Sequence, residues 1–215
     1  MIPVEEELQR VIPAIAIIQK HFPEAIISID TFRAAVAKAA VEAGASIVND
    51  ISAGNMDDQM FETVAALQVP YAMMHMQGTP KTMQQNPQYG NLITDILDFF
   101  VWKIEKLRTL GVLDIILDPG FGFGKTLEHN YQLLRFLHCF KLPGLPILAG
   151  VSRKSMIYKL LDTSAEKALN GTTALHMLCL QEGVKILRVH DVKEAIECIR
   201  LWEYYQEIPE DMSLL

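Results

Sequence analysis

Asp118 closes the apolar run Ile115-Ile116-Leu117 and is followed at once by Pro119 and Gly120, so a carboxylate stands where the chain turns sharply off a buried strand. A carboxylate with little access to water needs a cationic or multi-donor partner. The flat edge of a heterocycle bearing an amidine or guanidine group supplies two parallel N–H donors, which a carboxylate accepts in bidentate fashion. Two more polar strand ends can read the rest of such an edge: Asn49 offers a donor and an acceptor, and Asp30 a further acceptor. Taken singly, each is as readily a helix cap or turn former.

Cations gather at two later strand ends. Gly150-Val151-Ser152-Arg153-Lys154-Ser155 places two hydroxyls beside adjacent cations, and Arg188-Val189-His190-Asp191 adds a guanidinium and an imidazole. Arg153 and Lys154 are consecutive, so one of them is expected to enter the pocket while the other does not. Gly-x-Ser is half of a nucleophile elbow, but Lys154 stands where the second glycine belongs, which argues against a hydrolase triad. An anionic ligand group is the natural partner of these segments.

The glycine-rich stretch Asp118 to Lys125, closed by Thr126, invites a nucleotide-binding reading that its spacing rejects. A phosphate loop needs a glycine five positions before Gly124, and that position is Pro119. Gly120, Gly122 and Gly124 also lack the wider second gap of the dinucleotide fingerprint.

The elements that must position these groups follow from the alternation of short apolar runs with longer stretches of helical periodicity. Strands are expected over residues 25–30, 46–50, 70–76, 114–118, 146–151 and 185–190. Helical stretches lie between them, including one over 164–183 and one opening the chain over 4–22; Gly44, Gly111 and Gly183 stand where helices should end. The strands are apolar almost throughout, as in a parallel sheet buried on both faces. Polar residues stand at or directly beside the C-terminal ends of all six, and in a (β/α)8 barrel the C-terminal mouth carries the active site, often with phosphate at the last two strand ends. Six strands, however, fit either an open doubly wound sheet or a barrel from which two strand units are absent.

At 215 residues, half of them hydrophobic, one domain over residues 1–215 is expected. The net charge of -7 lacks the basic footprint of a nucleic-acid binder. Three widely spaced cysteines suggest neither a disulfide framework nor a zinc site. The acidic N-terminus is unlike a secretory signal, and the apolar run from Val11 to Ile18 is too short to cross a bilayer, so a cytoplasmic protein without membrane contact is expected.

Taken together the motifs resemble the dihydropteroate synthase family. They stand in order as Ser28-Ile29-Asp30-Thr31, Asn49-Asp50, the loop Met74 to Pro80 (MHMQGTP), Asp118 to Lys125 (DPGFGFGK), Gly150 to Ser155 (GVSRKS) and Arg188 to Asp191 (RVHD). The resemblance implies an α/β fold, a pterin-binding (β/α)8 barrel with six of its eight strands present. It implies a transferase of folate biosynthesis, a sulfonamide target, joining 6-hydroxymethyl-7,8-dihydropterin pyrophosphate to p-aminobenzoate with release of pyrophosphate. Asp30, Asn49 and Asp118 would hold the pterin edge, with Lys154 on its carbonyl side and Met74 and Phe123 as apolar walls. Arg188 would lie along the ring and meet the diphosphate with His190, while Ser155 would receive the p-aminobenzoate carboxylate; Lys154, Arg188 and His190 are the catalytic candidates. Magnesium would travel with the diphosphate, its main protein ligand lying in the family's first two strand units, and a homodimer is implied for the complete enzyme. Nothing in the sequence replaces those two units, so the chain alone is expected to be inactive and poorly soluble through open strand edges. An inactive pterin-binding fragment, or a barrel like those of methyltetrahydrofolate-binding methyltransferases, are the alternative readings.

Overall fold

The computed structural model describes residues 2–80, 82–83 and 85–209. It opens with α1 (Val4–His21) and then alternates β1 (Ser28–Asp30), α2 (Ala34–Glu42), β2 (Ile47–Asp50), α3 (Met60–Leu67), β3 (Tyr71–Met74), α4 (Leu92–Thr109), β4 (Ile115–Asp118) and α5 (Leu127–Arg135). The second part runs through β5 (Leu148–Ala149), α6 (Ser155–Tyr158), α7 (Leu169–Gln181), β6 (Ile186–Leu187) and α8 (Val192–Glu207).

Strand order decides between the two architectures that the sequence leaves open. The order is β1-β2-β3-β4 in one sheet and β5-β6 in a second, every pairing is parallel, and a parallel bridge from Leu117 to Ile147 joins the two. A doubly wound sheet reverses its strand order at a switch point; this one never does. Consecutive helices also touch one another, α1 with α2 and α2 with α3, then α4 with α5 and onward to α7 with α8, as the outer ring of a barrel requires. The chain therefore forms six parallel strands of an incomplete (β/α)8 barrel. The outer edges of β1 and β6 have no strand partner among the described residues.

The period of two along each strand sorts residues into two layers. Ala72, Ile116 and Leu148, with Ile186 against them, form a small apolar cluster inside the curl. Val48, Tyr71, Met73, Ile115, Leu117 and Ala149 face the other way and join the larger core under the helices. The same alternation divides the polar pair at the end of β2. Asp50 belongs to the outer layer, where it accepts from the N–H and Oγ of Ser52, the Gly54 N–H and the Tyr71 hydroxyl at 2.7–2.8 Å. Asn49 is thereby left to the inner layer and the site.

All six expected strands form, but their ladders are shorter than the apolar runs. Pro146 has no N–H to donate, so the run at 146–151 contributes a carbonyl there, accepting from Leu117 N–H at 2.9 Å, and a ladder of only Leu148 and Ala149. Gly44, Gly111 and Gly183 each follow a helix end with positive φ (116°, 84° and 94°), as expected. The helix expected over 164–183 divides instead into a 3-10 turn at Ala165–Lys167 and α7. The carbonyls of Ala165 and Glu166 are turned aside to accept from Arg153 Nη1 at 2.9 and 2.6 Å.

Candidate active site

The register of the sheet brings three of the sequence-predicted residues to one level of the mouth. Asp30 pairs with Asn49 across β1 and β2, and Met74 pairs with Asp118 across β3 and β4. Asp118 is only 2% exposed and Asn49 5%. One Asp118 oxygen accepts the Gly120 N–H at 2.8 Å; its other oxygen has no hydrogen-bond partner among the described residues. The turn that makes this contact depends on glycine, because Gly120 has φ +73° and a Cβ there would lie 1.9 Å from the His75 carbonyl oxygen. Met74 packs beneath the same turn.

Of the two consecutive cations, Lys154 is the one that turns in. Its Nζ donates to the Phe121 carbonyl and lies 4.8 Å from the centre of the Phe123 ring. Burial lowers its pKa to about 8, although Asp118 opposes the shift and Arg188 adds to it. Arg153, held at φ +53°, points the other way and grips Asp191 with two parallel bonds of 2.8 and 2.7 Å. That fork ties the loop after β5 to the loop after β6. A second tie runs beside it: Ser152 Oγ meets His190 Nδ1 at 2.9 Å and accepts the His190 N–H at 3.2 Å.

Arg188 crosses the open side of the mouth, its Nη1 lying 3.7 Å from Asp30 Oδ2, with both side chains partly in solvent. Such an exposed pair is weak and can be exchanged for a ligand contact. Gly150 makes room for this guanidinium, since a Cβ there would stand 3.3 Å from Arg188 Nε. His190 is exposed and is joined to Ser152 rather than to Arg188. Ser155 opens α6, with Lys154 as its cap.

One buried group at the site was not singled out by sequence. Lys125 is 3% exposed, and its Nζ meets Gly120 O at 3.0 Å, Phe123 O at 3.1 Å and His75 Nδ1 at 3.1 Å. Burial lowers its pKa to about 7, with Asp118 acting in the opposite direction. His75, also buried, is lowered to about 3 by burial and by Lys125. The available signal was a lysine directly after a glycine-rich loop; its inward direction depends on backbone angles that sequence does not display.

A cavity of about 270 Å³ inside the curl is lined by Asp30, Asn49, Ala72, Ile116 and Arg188 among others, so polar groups ring its top and apolar ones its floor. A larger cavity of about 580 Å³ lies on the outer face between α3 and α4, around Trp102 and Lys103, and holds none of the strand-end groups. Among the described residues, no three His, Cys, Asp or Glu side chains are grouped to hold a metal ion. The mouth thus presents a buried carboxylate with an amide and a second carboxylate on one side, and cations on the other. Such a set can bind a ligand that carries an N–H edge at one end and anionic oxygens at the other.

Comparisons with known proteins agree with this chemistry. The pterin binding enzyme family matches residues 1–190. Dihydropteroate synthase of Escherichia coli K12 is 42% identical over 204 residues, covering 94% of this chain and 72% of that protein. A Yersinia pestis dihydropteroate synthase solved with a sulfonamide drug superposes with a TM-score of 0.92 at 40% identity, over 95% of this chain and 75% of that one. A Xanthomonas albilineans dihydropteroate synthase solved with 4-aminobenzoic acid gives 0.89 at 37% identity, over 97% and 74%.

Proposed function

The chain belongs to the pterin-binding enzyme family, and from that premise we propose that it carries out the dihydropteroate synthase reaction, a transferase step of folate synthesis. 6-Hydroxymethyl-7,8-dihydropterin pyrophosphate and p-aminobenzoate are its substrates, and dihydropteroate and pyrophosphate its products. The observation that carries this reading is Asp118, 2% exposed, with one oxygen unpartnered among the described residues at the same mouth as Asn49, Lys154 and Arg188.

In this reading the pterin N–H edge meets Asp118, Asn49 and Asp30, with Met74 and Phe123 as walls. The arylamine nitrogen attacks the exocyclic methylene with its lone pair, the methylene C–O bond breaks with its electrons going to the diphosphate, and the amine proton passes to water or to the released diphosphate. Chemistry of this kind needs charge neutralised on the leaving group and the amine held in line. Arg188 supplies positive charge beside the departing oxygens with His190 at the outer rim, Lys154 meets the carbonyl side of the pterin, and Ser155 receives the p-aminobenzoate carboxylate. The donor set of the mouth does not fit a protein-held metal, being cationic where the diphosphate would lie. In this mouth a magnesium ion would be held by diphosphate oxygens and water, its main protein ligand belonging to the family's first two strand units. Residues 1–215 belong to one pterin-binding barrel domain of a cytoplasmic enzyme that is a homodimer when complete. No helix among the described residues is long and apolar enough to cross a membrane.

The test is calorimetry with each substrate, followed by a product assay on the full chain. Formation of dihydropteroate and pyrophosphate supports the synthase reading. Pterin binding without turnover replaces it with a pterin-binding fragment, and absence of pterin binding removes both.

A further inference from the structure

The serine of the half nucleophile elbow, Ser152, has no task in the proposed reaction, and its hydrogen bonds give it one. Ser152 Oγ lies 2.9 Å from His190 Nδ1 and accepts the His190 backbone N–H at 3.2 Å. A serine beside an imidazole is the beginning of a hydrolase pair, but this hydroxyl is not placed to attack a substrate. Ser152 is 3% exposed, whereas His190 is exposed. The direction of the bond between them follows from counting donors. A hydroxyl has one hydrogen to give and two lone pairs to offer. With the ring proton on Nδ1, Oγ would accept from both Nδ1 and the His190 N–H, and its own hydrogen would have no acceptor among the described residues. Leaving a buried donor unmade is costly, so the hydroxyl donates and Nδ1 accepts. The neutral ring therefore carries its proton on Nε2.

We propose that Ser152 is a positioning residue: it fixes the proton of the neutral His190 ring on Nε2 and leaves that nitrogen at the rim, where its N–H donates to a diphosphate oxygen. The proposal rests on the reading of His190 as a group that meets the diphosphate. Nε2 has no hydrogen-bond partner among the described residues, so its N–H is available to a ligand. Two rungs hold the loop that carries the ring, Arg153 with Asp191 and Ser152 with His190. The first sets where the two loops lie, and the second sets the rotation and tautomer of the imidazole. Without the Ser152 hydroxyl the ring can turn over, which puts a carbon where the N–H stood. It can also take the other tautomer, which presents a lone pair to an anion.

Calorimetry should compare the wild type, Ser152→Ala, His190→Ala and the double variant, with 6-hydroxymethyl-7,8-dihydropterin pyrophosphate and with the same pterin lacking its diphosphate. A hydrogen bond to a charged acceptor is worth about tenfold or more in affinity. Ser152→Ala should therefore weaken the diphosphate ligand by about tenfold and leave the shorter pterin nearly unchanged. Because Ser152 acts only through the ring, the double variant should bind no worse than His190→Ala. Losses that add in the double variant, or an equal loss for both ligands, would show a merely structural role and overturn the proposal. NMR of isotope-labelled histidine in the wild type, at about pH 8 and so above the usual imidazole range, reads the ring directly and needs no variant to fold. His190 Nε2 should carry the proton and Nδ1 should be bare, with a resonance that moves in Ser152→Ala. A proton on Nδ1, or an unmoved resonance in a folded variant, refutes the assignment. Wild-type protein that does not bind the pterin diphosphate refutes the parent reading instead, while the spectrum still decides the Ser152–His190 bond, and so the two failures are distinguished.

Discussion

Asp118→Asn is the substitution that most directly probes the site. In the native protein one carboxylate oxygen accepts the Gly120 N–H at 2.8 Å, and that turn cannot relax easily because the Gly120 backbone lies against the His75 carbonyl. The asparagine oxygen will take over the Gly120 contact, which leaves the NH2 group facing the ligand's own N–H donors. One charge-assisted hydrogen bond to the ligand, worth about 1.5–3 kcal/mol, is lost, and the other falls to the roughly 1 kcal/mol of a neutral bond. The sum is about 3 kcal/mol, or roughly a hundredfold in Kd for the pterin. Binding to p-aminobenzoate in the presence of pyrophosphate, which does not meet Asp118, should change little. Calorimetry at neutral pH measures both, with circular dichroism to check folding. A folded Asp118→Asn protein whose pterin affinity falls less than threefold would refute the assignment of this carboxylate.

Two further outcomes follow from the same geometry. Lys154 titrates at about 8, so kcat/KM for the pterin diphosphate should fall as pH rises through that value, and Lys154→Arg should move this alkaline limb beyond pH 10; an identical limb in the variant would show that another group is responsible. The stability contribution has the opposite sign: the unfolded lysine, near 10.4, keeps its proton between about 8 and that value while the folded one has lost it, so Lys154 adds stability with rising pH in this window. Gly120→Ala forces a Cβ to 1.9 Å from the His75 oxygen at φ +73°, which should cost about 3 kcal/mol or more and lower Tm by roughly 6–12 °C. A fall of less than about 2 °C would mean that the turn does not have the backbone conformation described.

Strand positions were legible because each is an apolar run closed by a polar residue, and the inward direction of Asp118 and Asn49 follows from the period of two once the strand ends are known. Ladder lengths were not legible, since apolar residues beyond the ladder, such as Val151, are buried by loops rather than by pairing. The choice between barrel and doubly wound sheet rested on strand order, a long-range property that local patterns do not encode; the motif resemblance supplied it. Arg153 and Lys154 were rightly expected to part company, but which one turns inward is set by the positive φ of Arg153. The broken helix before α7 has the same origin, because the Arg153 guanidinium draws two carbonyls out of a segment whose residues are good helix formers.

The fork between Arg153 and Asp191 reaches beyond local structure. By joining the loops that follow β5 and β6, it fixes the mutual placement of Lys154 and Arg188, which approach the mouth from those two loops. The entropy of bringing two flexible cations to one ligand is thus spent during folding rather than at each encounter. In the proposed site a pterin diphosphate would meet a preassembled pair, one cation at its ring and the other at its diphosphate, and its affinity would answer to a contact in which neither member of that pair takes part.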